Sequence, residues 1–280
     1  MRKVLVTGSG GYIGRHVVKA LLDENFYVIA ADINNDDVDA RADKRTISIF
    51  DKDPDLFEKL GSPDICIHLA WRNGFVHNAN SHILELSDHF YFLESLIKKG
   101  LKNLAVMGTM HEIGYFEGEI NDDTPCNPLS YYGIAKNALR QSLLLLTEQN
   151  NVNLFWLRAY YILGDDIKNH SIFTKLIEAN RNGQEKFPFT SGKSLFDFIT
   201  VDELAKQISL ASTQEEITGI INVCTGTPMS LKDRVEMFIK ENSLKIQLDY
   251  GAFPDREYDS PGEWGNADKI NRILKNSQNR

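Results

Sequence analysis

The stretch Thr7-Gly8-Ser9-Gly10-Gly11-Tyr12-Ile13-Gly14 decides the fold class of this chain, because it joins an apolar run to a helical pattern. Glycine at positions 8, 11 and 14 lets the backbone turn tightly, approach a pyrophosphate and pack a helix on the preceding strand. The first N–H groups of that helix would face the negative charge of the ligand. The cofactor-binding residues predicted here are Gly8, Gly11, Tyr12, Ile13 and Gly14.

The residues on both sides of this stretch agree with that prediction. Val4-Leu5-Val6 precedes it as a strand, and apolar residues recur at helical spacing from Tyr12 to about Glu24. A second strand, Tyr27 to Ala31, ends on Asp32, which lies 24 residues after Gly8. At that spacing an acidic side chain reaches the ribose hydroxyls of adenosine. Strand, turn, helix, strand and acid follow in the order of a dinucleotide-binding unit.

The form of the dinucleotide depends on a few residues after the second strand. Asp32 fits an unphosphorylated ribose, hence NAD(H). Arg41, Lys44 and Arg45 follow within one loop and could meet a 2′-phosphate, so NADP(H) stays open. The predicted cofactor is therefore NAD(H) or NADP(H), with NAD(H) favoured by Asp32.

Strands and helices alternate over the first 160 residues. Strands are predicted at 46–50, 65–70, 103–107 and 153–158, and helices at 82–99 and 130–149. This alternation predicts an α/β fold with a Rossmann-type, doubly wound parallel sheet. Asp51 and Lys52 directly follow strand 46–50 and are predicted to lie at the rim of the adenine pocket.

The alternation weakens past Gly164. Helices are predicted at about 171–182, 201–212 and 231–242, and a strand at 220–223. We expect a dinucleotide-binding Rossmann domain over residues 1–165 and a smaller C-terminal substrate region over 166–280. Residues 197–225 are expected to pack back on the Rossmann domain. By position, this second half covers the carboxyl ends of the strands, where ligands of open sheets bind.

The composition is that of an ordinary globular protein of 280 residues, with a formal net charge of −8. A negative charge without a basic block argues against nucleic acid or a membrane surface as a partner. Cys66, Cys126 and Cys224 are widely spaced, so neither a disulfide framework nor a zinc site is expected. We expect no secretory leader and no membrane span, because no apolar stretch approaches the roughly 20 residues that a bilayer requires. A cytoplasmic protein without a metal site is the prediction.

Tyr132 and Lys136 lie four residues apart on a predicted helix, so both side chains point from one face. An ammonium near a phenol favours the phenolate and lowers the tyrosine pKa from about 10, so Tyr132 could give or take a proton. Lys136 could also hold a ribose hydroxyl. Alone, such a pair more often marks the exposed face of an amphipathic helix.

Further segments join this pair in a recognisable set. They are Thr7-Gly8-x-x-Gly11-x-x-Gly14, Ile67-His68-Leu69-Ala70, Val106 to Gly114, Tyr132-x-x-x-Lys136, Arg158 to Gly164 and Asp197-Phe198-Ile199-x-Val201-Asp202. Together they resemble the extended short-chain dehydrogenase/reductase family, specifically its nucleotide-sugar-modifying members. The resemblance covers nearly the whole chain.

The resemblance implies a hydride transfer between a nicotinamide and a sugar carbon. Tyr132 would exchange the proton, Lys136 would tune Tyr132 and hold the nicotinamide ribose, and Thr109 would hydrogen-bond the reacting oxygen. Leu69 and Ala70 would lie beside that ribose. Two preplaced donors would meet the oxyanion, while the cofactor supplies the difficult chemistry. The alternative for Thr109 is a residue that only caps the strand end.

Some positions depart from the family pattern. Dehydratases of the family carry an Asp-Glu pair after the threonine, whereas this chain has Met110 and His111, which argues against dehydratase activity. His111 is predicted as an additional catalytic acid or base, with a histidine that shapes the pocket as the alternative. Glu85 replaces a usual asparagine. Glu112 would face away from the site if the strand pattern continued, and it is left out of the predicted site.

Substrate contacts are predicted from the chemistry of sugar nucleotides. An arginine can bind a diphosphate as a fork, and an aromatic ring can stack on a base. The predicted substrate-binding residues are Trp71, Thr109, Lys193 and Arg256, to which His77, Trp264 and the segment Asn169 to Phe173 are further candidates.

These observations predict an NAD(P)H-dependent reductase of a nucleotide-activated 4-keto-6-deoxy sugar, with a place in deoxysugar or surface polysaccharide biosynthesis. The alternative is a nucleotide-sugar 4-epimerase, which needs the same residues; a dinucleotide-binding sensor without turnover is less favoured. The resemblance also implies a homodimer through helices 82–99 and 130–149. Leu139, Leu143 and Leu146 would serve that interface, but their spacing is equally that of a core-facing stripe.

Overall fold

The computed structural model describes residues 2–164, 171–254 and 260–278. Its strands are β1 (Lys3–Thr7), β2 (Tyr27–Asp32), β3 (Asp43–Thr46), β4 (Ile65–His68), β5 (Asn103–Thr109), β6 (Gly118–Ile120), β7 (Asn153–Ala159), β8 (Tyr161–Leu163), β9 (Lys186–Phe189), β10 (Leu195–Thr200), β11 (Gly219–Val223), β12 (Pro228–Ser230), β13 (Gln247–Tyr250) and β14 (Gly262–Gly265). Its helices are α1 (Tyr12–Asp23), α2 (Leu56–Lys59), α3 (Ser81–Leu84), α4 (Leu86–Lys98), α5 (Tyr131–Asn150), α6 (Ile172–Arg181), α7 (Val201–Thr213), α8 (Leu231–Glu241) and α9 (Asp268–Gln278). A 3₁₀ turn, Met110–Glu112, directly follows β5.

The main sheet of the described chain is parallel, with strand order β11-β7-β5-β4-β1-β2-β3. The order reverses at β1, because β2 and β3 lie on one side of it and β4, β5, β7 and β11 on the other. In an open sheet such a reversal leaves a crevice outside the carboxyl ends of the strands, where ligands bind. The predicted Rossmann-type, doubly wound fold is confirmed, and its crevice lies between the ends of β1 and β4.

Alternate residues of each strand contribute to opposite layers of the core. In β1, Leu5 belongs to one buried cluster, and Val4 and Val6 belong to the other. Helices α1, α7 and α9 cover the Val4 side, whereas α4 and α5 cover the Leu5 side. A parallel strand covered on both faces is apolar throughout, which explains the uninterrupted run Val4-Leu5-Val6.

The stripe on α5 belongs to the core. Leu139 and Leu143 are fully buried and Leu146 is 9% exposed, all in the cluster between α5 and the sheet. The tertiary structure therefore decides between the two interpretations of their spacing in favour of the core-facing stripe.

The third strand lies earlier in the chain than predicted. Strand β3 covers Asp43–Thr46, not residues 46–50, and pairs with β2 up to Asp32↔Thr46. Because β2 ends at Asp32, the ladder ends there too, closed by a hydrogen bond from Ile47 N to Asp32 O of 3.0 Å. The apolar residues Ile47 and Ile49 instead turn inward and pack on the core.

The predicted helix 82–99 is divided at Glu85 into α3 and α4. His82 of α3 is buried and holds this short helix on the preceding loop: Trp71 Nε1 donates to its Nδ1 (3.0 Å), and its Nε2 donates to Val76 O (2.9 Å). Helix α4 instead packs on the sheet through Phe92 and its neighbours. The prediction of one continuous helix is wrong because the two parts are anchored to different elements.

The C-terminal strands β10, β12 and β14 join β6 and β8 of the first 164 residues in a second sheet of order β12-β10-β14-β6, with β8 paired to β10. Strand β11 returns to the edge of the main sheet beside β7, and α7 packs against α1. The sequence reasoning missed α9, although Ile270 and Ile273 recur at helical spacing and are buried against α7 and β11. The domain boundary at residue 165 stays a prediction.

The helices found in residues 2–164, 171–254 and 260–278 include none that is long and apolar enough to span a bilayer.

Candidate active site

The cradle predicted from the glycines lies at the end of β1. Gly8 has φ +70°, and a Cβ there would lie 2.6 Å from Ala70 N. A Cβ at Gly14 would lie 2.0 Å from Gly8 O. Helix α1 therefore packs too closely on the turn for a side chain at position 14. Gly11 is the N-cap residue of α1, and among the described residues no side-chain hydrogen bond caps this helix end, so the turn offers backbone N–H groups to an anion. These features fit the pyrophosphate of a dinucleotide.

Asp32 lies at the end of β2 with its carboxylate on this turn. Its Oδ2 accepts from Gly10 N (3.0 Å) and its Oδ1 from Ile33 N (2.7 Å), so the backbone fixes the side chain. A carboxylate held in this way can accept from ribose hydroxyls.

The basic residues that could meet a 2′-phosphate are engaged elsewhere. Arg41 pairs with Asp39 (2.7 Å) and Asp23 (2.8 Å). Arg45 pairs with Asp43 (2.7 Å), and Lys44 donates to a backbone carbonyl oxygen. This arrangement favours NAD(H) over NADP(H).

The other predicted cofactor residues surround the crevice. Leu69 N donates to Thr7 O (3.1 Å), which places Leu69 and Ala70 beside the turn. Asp51 and Lys52 are exposed after β3, and Lys52 forms an ion pair with Asp88 (3.2 Å). A role of Asp51 and Lys52 at an adenine pocket stays a prediction.

The three residues expected to carry the chemistry meet at the end of β5. Thr109 is the last residue of that strand, and Tyr132 lies in the first turn of α5, which Ser130 caps through its side chain. The Thr109 hydroxyl faces Tyr132 closely enough to lower the pKa of the phenol by hydrogen bonding. Lys136 follows one turn later, and its Nζ donates to Met107 O (2.8 Å). The arrangement can hold a carbonyl oxygen between a threonine hydroxyl and a phenol.

The protonation of this group differs from the sequence-based expectation. Burial raises the pKa of Tyr132 to about 12, opposed by the hydrogen bond with Thr109. Burial also lowers the pKa of Lys136 to about 7, while the negative charge of Glu112 acts in the opposite direction. The expected lowering of the tyrosine pKa is therefore wrong, because loss of water around the phenolate outweighs an ammonium 5.9 Å from the ring centroid. Near pH 7, Tyr132 is a neutral phenol that can donate a proton.

Trp71 lies against Lys136. The lysine Nζ is 3.8 Å from the indole centroid, and the indole stacks on His89 with centroids 4.3 Å apart. His89 Nδ1 is hydrogen-bonded to His68 Nε2 (2.9 Å), and His68 Nδ1 to Thr7 Oγ1 (2.8 Å). Sequence reasoning missed this chain of buried side chains, because histidines that meet from β4 and α4 leave no local pattern.

His111 and His77 lie on the other side of Tyr132. Their ring centroids are 4.2 Å apart, and that of His111 is 6.1 Å from the phenol ring. Burial and the neighbouring His77 lower the pKa of His111 to about 4, so its imidazole is neutral near pH 7. His77 O accepts from Tyr132 N (2.9 Å), which fixes the loop after β4 on the start of α5.

Glu112 lies beneath Thr109, contrary to expectation. The strand pattern does not continue past Thr109, since the chain enters the 3₁₀ turn, and Glu112 Oε1 accepts from Thr109 N (3.0 Å). The omission of Glu112 from the site was therefore based on the wrong local structure.

The structure does not join the remaining candidates for substrate binding to Thr109 and Tyr132 within the residues it describes. Lys193 is exposed on the loop between β9 and β10, and among the described contacts none joins its side chain to Thr109 or Tyr132. Trp264 lies in β14 of the second sheet. Arg256 and Asn169 lie outside the described residues.

Residues 4–224 match the model of the NAD dependent epimerase/dehydratase family. A dTDP-6-deoxy-L-talose 4-dehydrogenase (NAD(+)) from Aggregatibacter actinomycetemcomitans is 43% identical, over 94% of this chain and 98% of the relative.

Solved structures resemble the fold over nearly its full length. A UDP-N-acetylglucosamine 4-epimerase from Methanobrevibacter ruminantium, in complex with UDP-N-acetylmuramic acid, superposes with a TM-score of 0.84 at 21% identity, covering 97% of this chain and 91% of the other. A UDP-glucuronic acid 4-epimerase from Bacillus cereus, in complex with UDP-glucuronic acid and NAD, superposes with a TM-score of 0.82 at 21% identity, covering 98% and 93%. At this identity the likeness concerns the fold alone.

Proposed function

The chain belongs to the NAD dependent epimerase/dehydratase family, and from that premise we propose that it reduces the C4 ketone of a dTDP-linked 4-keto-6-deoxyhexose. The resemblance to nucleotide-sugar enzymes is confirmed, and so is NAD(H) as the cofactor of an NAD-dependent oxidoreductase. The observation that carries the proposal is the likeness to the deoxytalose dehydrogenase along almost the full length of both chains.

The proposed binding mode assigns each part of the crevice to one part of the cofactor. The turn at Gly8 and Gly11 holds the pyrophosphate, and Asp32 accepts from the adenosine ribose. Lys136 Nζ donates one N–H to Met107 O. Another N–H of the same ammonium donates to a hydroxyl of the nicotinamide ribose. When bound, NADH supplies the hydride that reduces the ketone carbon.

The proposed reduction needs a proton at the ketone oxygen. Tyr132 donates it as a neutral phenol, and Thr109 stabilises the developing oxyanion with a hydrogen bond. The C4=O π bond breaks, C4 gains a hydride and the oxygen gains a proton, so the product is a 6-deoxyhexose with a C4 hydroxyl. The raised pKa of Tyr132 supports this direction, because a phenolate could not donate.

The reverse reaction uses the same residues. The dehydrogenase relative is named for oxidation of a C4 hydroxyl by NAD⁺. In that direction Tyr132 must accept the hydroxyl proton, which requires the phenolate. The rate of C4-hydroxyl oxidation is therefore expected to increase at high pH.

A 4-epimerase is the second candidate. The solved structures that share the fold include 4-epimerases, and oxidation followed by reduction at one carbon needs the same Thr109, Tyr132 and Lys136. An epimerase would retain its cofactor through the cycle, whereas a reductase releases NAD⁺ after each turnover.

One assay separates the two candidates. The purified protein is incubated with NADH or NADPH and a dTDP-4-keto-6-deoxyhexose, while the absorbance of the reduced nicotinamide and the product mass are followed. Stoichiometric loss of NADH with a product two hydrogens heavier supports the reductase. Interconversion of equal-mass sugar nucleotides without net loss of NADH would assign the epimerase instead.

We also propose a cytoplasmic homodimer. Helix α5 packs beside α4 and exposes Tyr131, Ile134 and Leu145, while α4 exposes Tyr91. Covering these apolar side chains with a second copy would remove them from water. Light scattering of the purified protein tests this state, and a monomer at all concentrations would exclude it.

A further inference from the structure

On the premise of the proposed function, we propose that Glu112 is a positioning residue, which fixes Thr109 for the reacting oxygen without touching the substrate. The sequence analysis left Glu112 outside the predicted site.

The Glu112 carboxylate is fully buried under the end of β5. Oε1 accepts from the backbone N–H of Thr109 (3.0 Å) and from Trp156 Nε1 (2.8 Å). Oε2 lies 3.0 Å from Arg140 Nε, and Arg158 Nε lies 3.7 Å from Oε1. Each oxygen therefore has a partner, and two cations compensate the buried negative charge.

The sheet leaves a space shaped for this carboxylate. Gly108 pairs with Arg158 in the ladder between β5 and β7. A Cβ at Gly108 would lie 2.3 Å from Trp156 Nε1 and 2.9 Å from Glu112 Oε1. A buried ion network is often no more stabilising than an apolar side chain of equal volume. Stability alone therefore does not account for a carboxylate at this position.

Hydrogen bonds with Glu112 and His111 restrain the backbone and the hydroxyl of Thr109. Glu112 fixes the Thr109 backbone, while Thr109 Oγ1 accepts from His111 N (3.3 Å), and together these bonds form a capping box. The same hydroxyl faces Tyr132 and lowers the pKa of its phenol. With its backbone and hydroxyl both restrained, Thr109 keeps one rotamer directed at the phenol. Without Glu112, one half of the capping box is lost.

The negative charge of Glu112 also affects the protonation of the neighbouring Tyr132 and Lys136. It raises the pKa of both Tyr132 and Lys136, which keeps the proton on each. Arg140 and Arg158 face the carboxylate from α5 and β7 and partly offset this charge.

Hydrogen exchange of the Thr109 amide tests the positioning without any substrate. Glu112→Met keeps the approximate volume and removes the acceptor, so exchange at Thr109 should accelerate about 10-fold or more. Glu112→Gln keeps an oxygen acceptor and should restore most of the protection. Ile273→Ala, in α9, serves as a control that lowers stability without changing this amide. If Glu112→Met does not fold, the pair Glu112→Met and Arg140→Leu, which also removes a cation left unpaired, replaces it.

Kinetics test whether Glu112 acts through Thr109. Glu112→Met should lower kcat for ketone reduction about 30-fold, with the KM for the sugar nucleotide and the Kd for NADH nearly unchanged. In a Thr109→Ala background, the same substitution should cost no more than about twofold, because the group that it positions is absent. Multiplicative effects, or unchanged Thr109 protection in Glu112→Met, would overturn the proposal. A wild-type protein that reduces no 4-keto sugar would instead refute the proposed function, and the exchange experiment would still decide the role of Glu112.

Discussion

Tyr132 and Lys136 lie one turn apart on α5, and burial shifts the pKa of both side chains. The Y-x-x-x-K spacing identified the phenol and the ammonium from the sequence, because four residues bring two side chains to one face of a helix. The pKa of each depends on burial beneath segments distant in the chain, which raises it for Tyr132 and lowers it for Lys136. The direction of proton transfer near pH 7 follows from that burial.

The first prediction concerns the proton donor. Tyr132→Phe removes the phenolic proton and leaves the ring, so kcat for ketone reduction should fall by about 10²–10⁴-fold. NADH should bind with nearly its wild-type Kd, measured by fluorescence titration, because the cradle at Gly8 is untouched. Retained turnover in this variant would show that another group supplies the proton.

The second prediction concerns the pH dependence set by Lys136. Its pKa is lowered to about 7, so the ammonium is present below that pH and is lost as the pH rises through it. We expect kcat/KM for NADH, which reports the free enzyme, to decrease on the alkaline side of about pH 7. Lys136→Met should remove this limb along with most of the activity. A profile that is flat from pH 6 to about 9 would contradict the assigned role.

At the scale of elements, the loop after β4 connects three parts of the fold. It carries Trp71 against Lys136, holds α3 through His82, and fixes the start of α5 through His77 O. Behind it, His68 and His89 link β1, β4 and α4 in a buried chain of hydrogen bonds. The position of Tyr132 thus depends on a segment whose own structure is set by contacts with several elements.

The third prediction concerns acid stability. Burial lowers the pKa of His89 to about 3 and that of His68 well below its usual value. Both stay neutral in the folded protein while the unfolded chain takes up protons below about pH 6.5, so stability is complete above that pH and falls as the pH decreases. Each histidine contributes a slope of about 1.4 kcal/mol per pH unit to the free energy of unfolding.

Urea unfolding at a series of pH values from about 5 to 8 measures this slope. His89→Phe keeps an aromatic ring beside Trp71. Because it removes one titrating group, it should reduce the slope of the free energy of unfolding against pH by about 1.4 kcal/mol per pH unit. Phe50→Leu alters the packing on the same imidazole, with 4.9 Å between the two centroids, and should lower stability equally at every pH. An unchanged slope in His89→Phe would show that the histidine pair does not control acid stability.

At the scale of the whole molecule, one buried carboxylate joins the two sheets. Asp197 of β10 accepts from Thr225 N (2.9 Å), Thr225 Oγ1 (2.7 Å) and Gly226 N (2.8 Å), which follow β11 of the main sheet. It also accepts from Gly265 N (3.4 Å) of β14. Asp197, the first residue of the motif Asp197-Phe198-Ile199-x-Val201-Asp202, therefore holds the second sheet to the carboxyl edge of the first.

The fourth prediction follows from this connection. Asp197→Ala leaves several part-buried donors and the buried Gly265 N without an acceptor, and should lower the free energy of unfolding by about 2–4 kcal/mol. Thr225→Val removes one of these bonds and should cost about 1 kcal/mol. Chemical denaturation measures both values. A loss for Asp197→Ala no larger than that for Thr225→Val would show that the remaining bonds contribute little.

The sequence alone determined the parallel Rossmann-type fold, the cradle at Gly8 and the pairing of Tyr132 with Lys136. These features depend on local patterns, because strand and helix periodicity and a glycine turn are written in consecutive residues. Only the tertiary structure decided the end of β3, the place of Glu112 beneath Thr109, the histidine chain behind Trp71 and the protonation of Tyr132. Each of these depends on residues distant in the chain that remove water or supply a partner, and such contacts exist only once the sheet has brought them together.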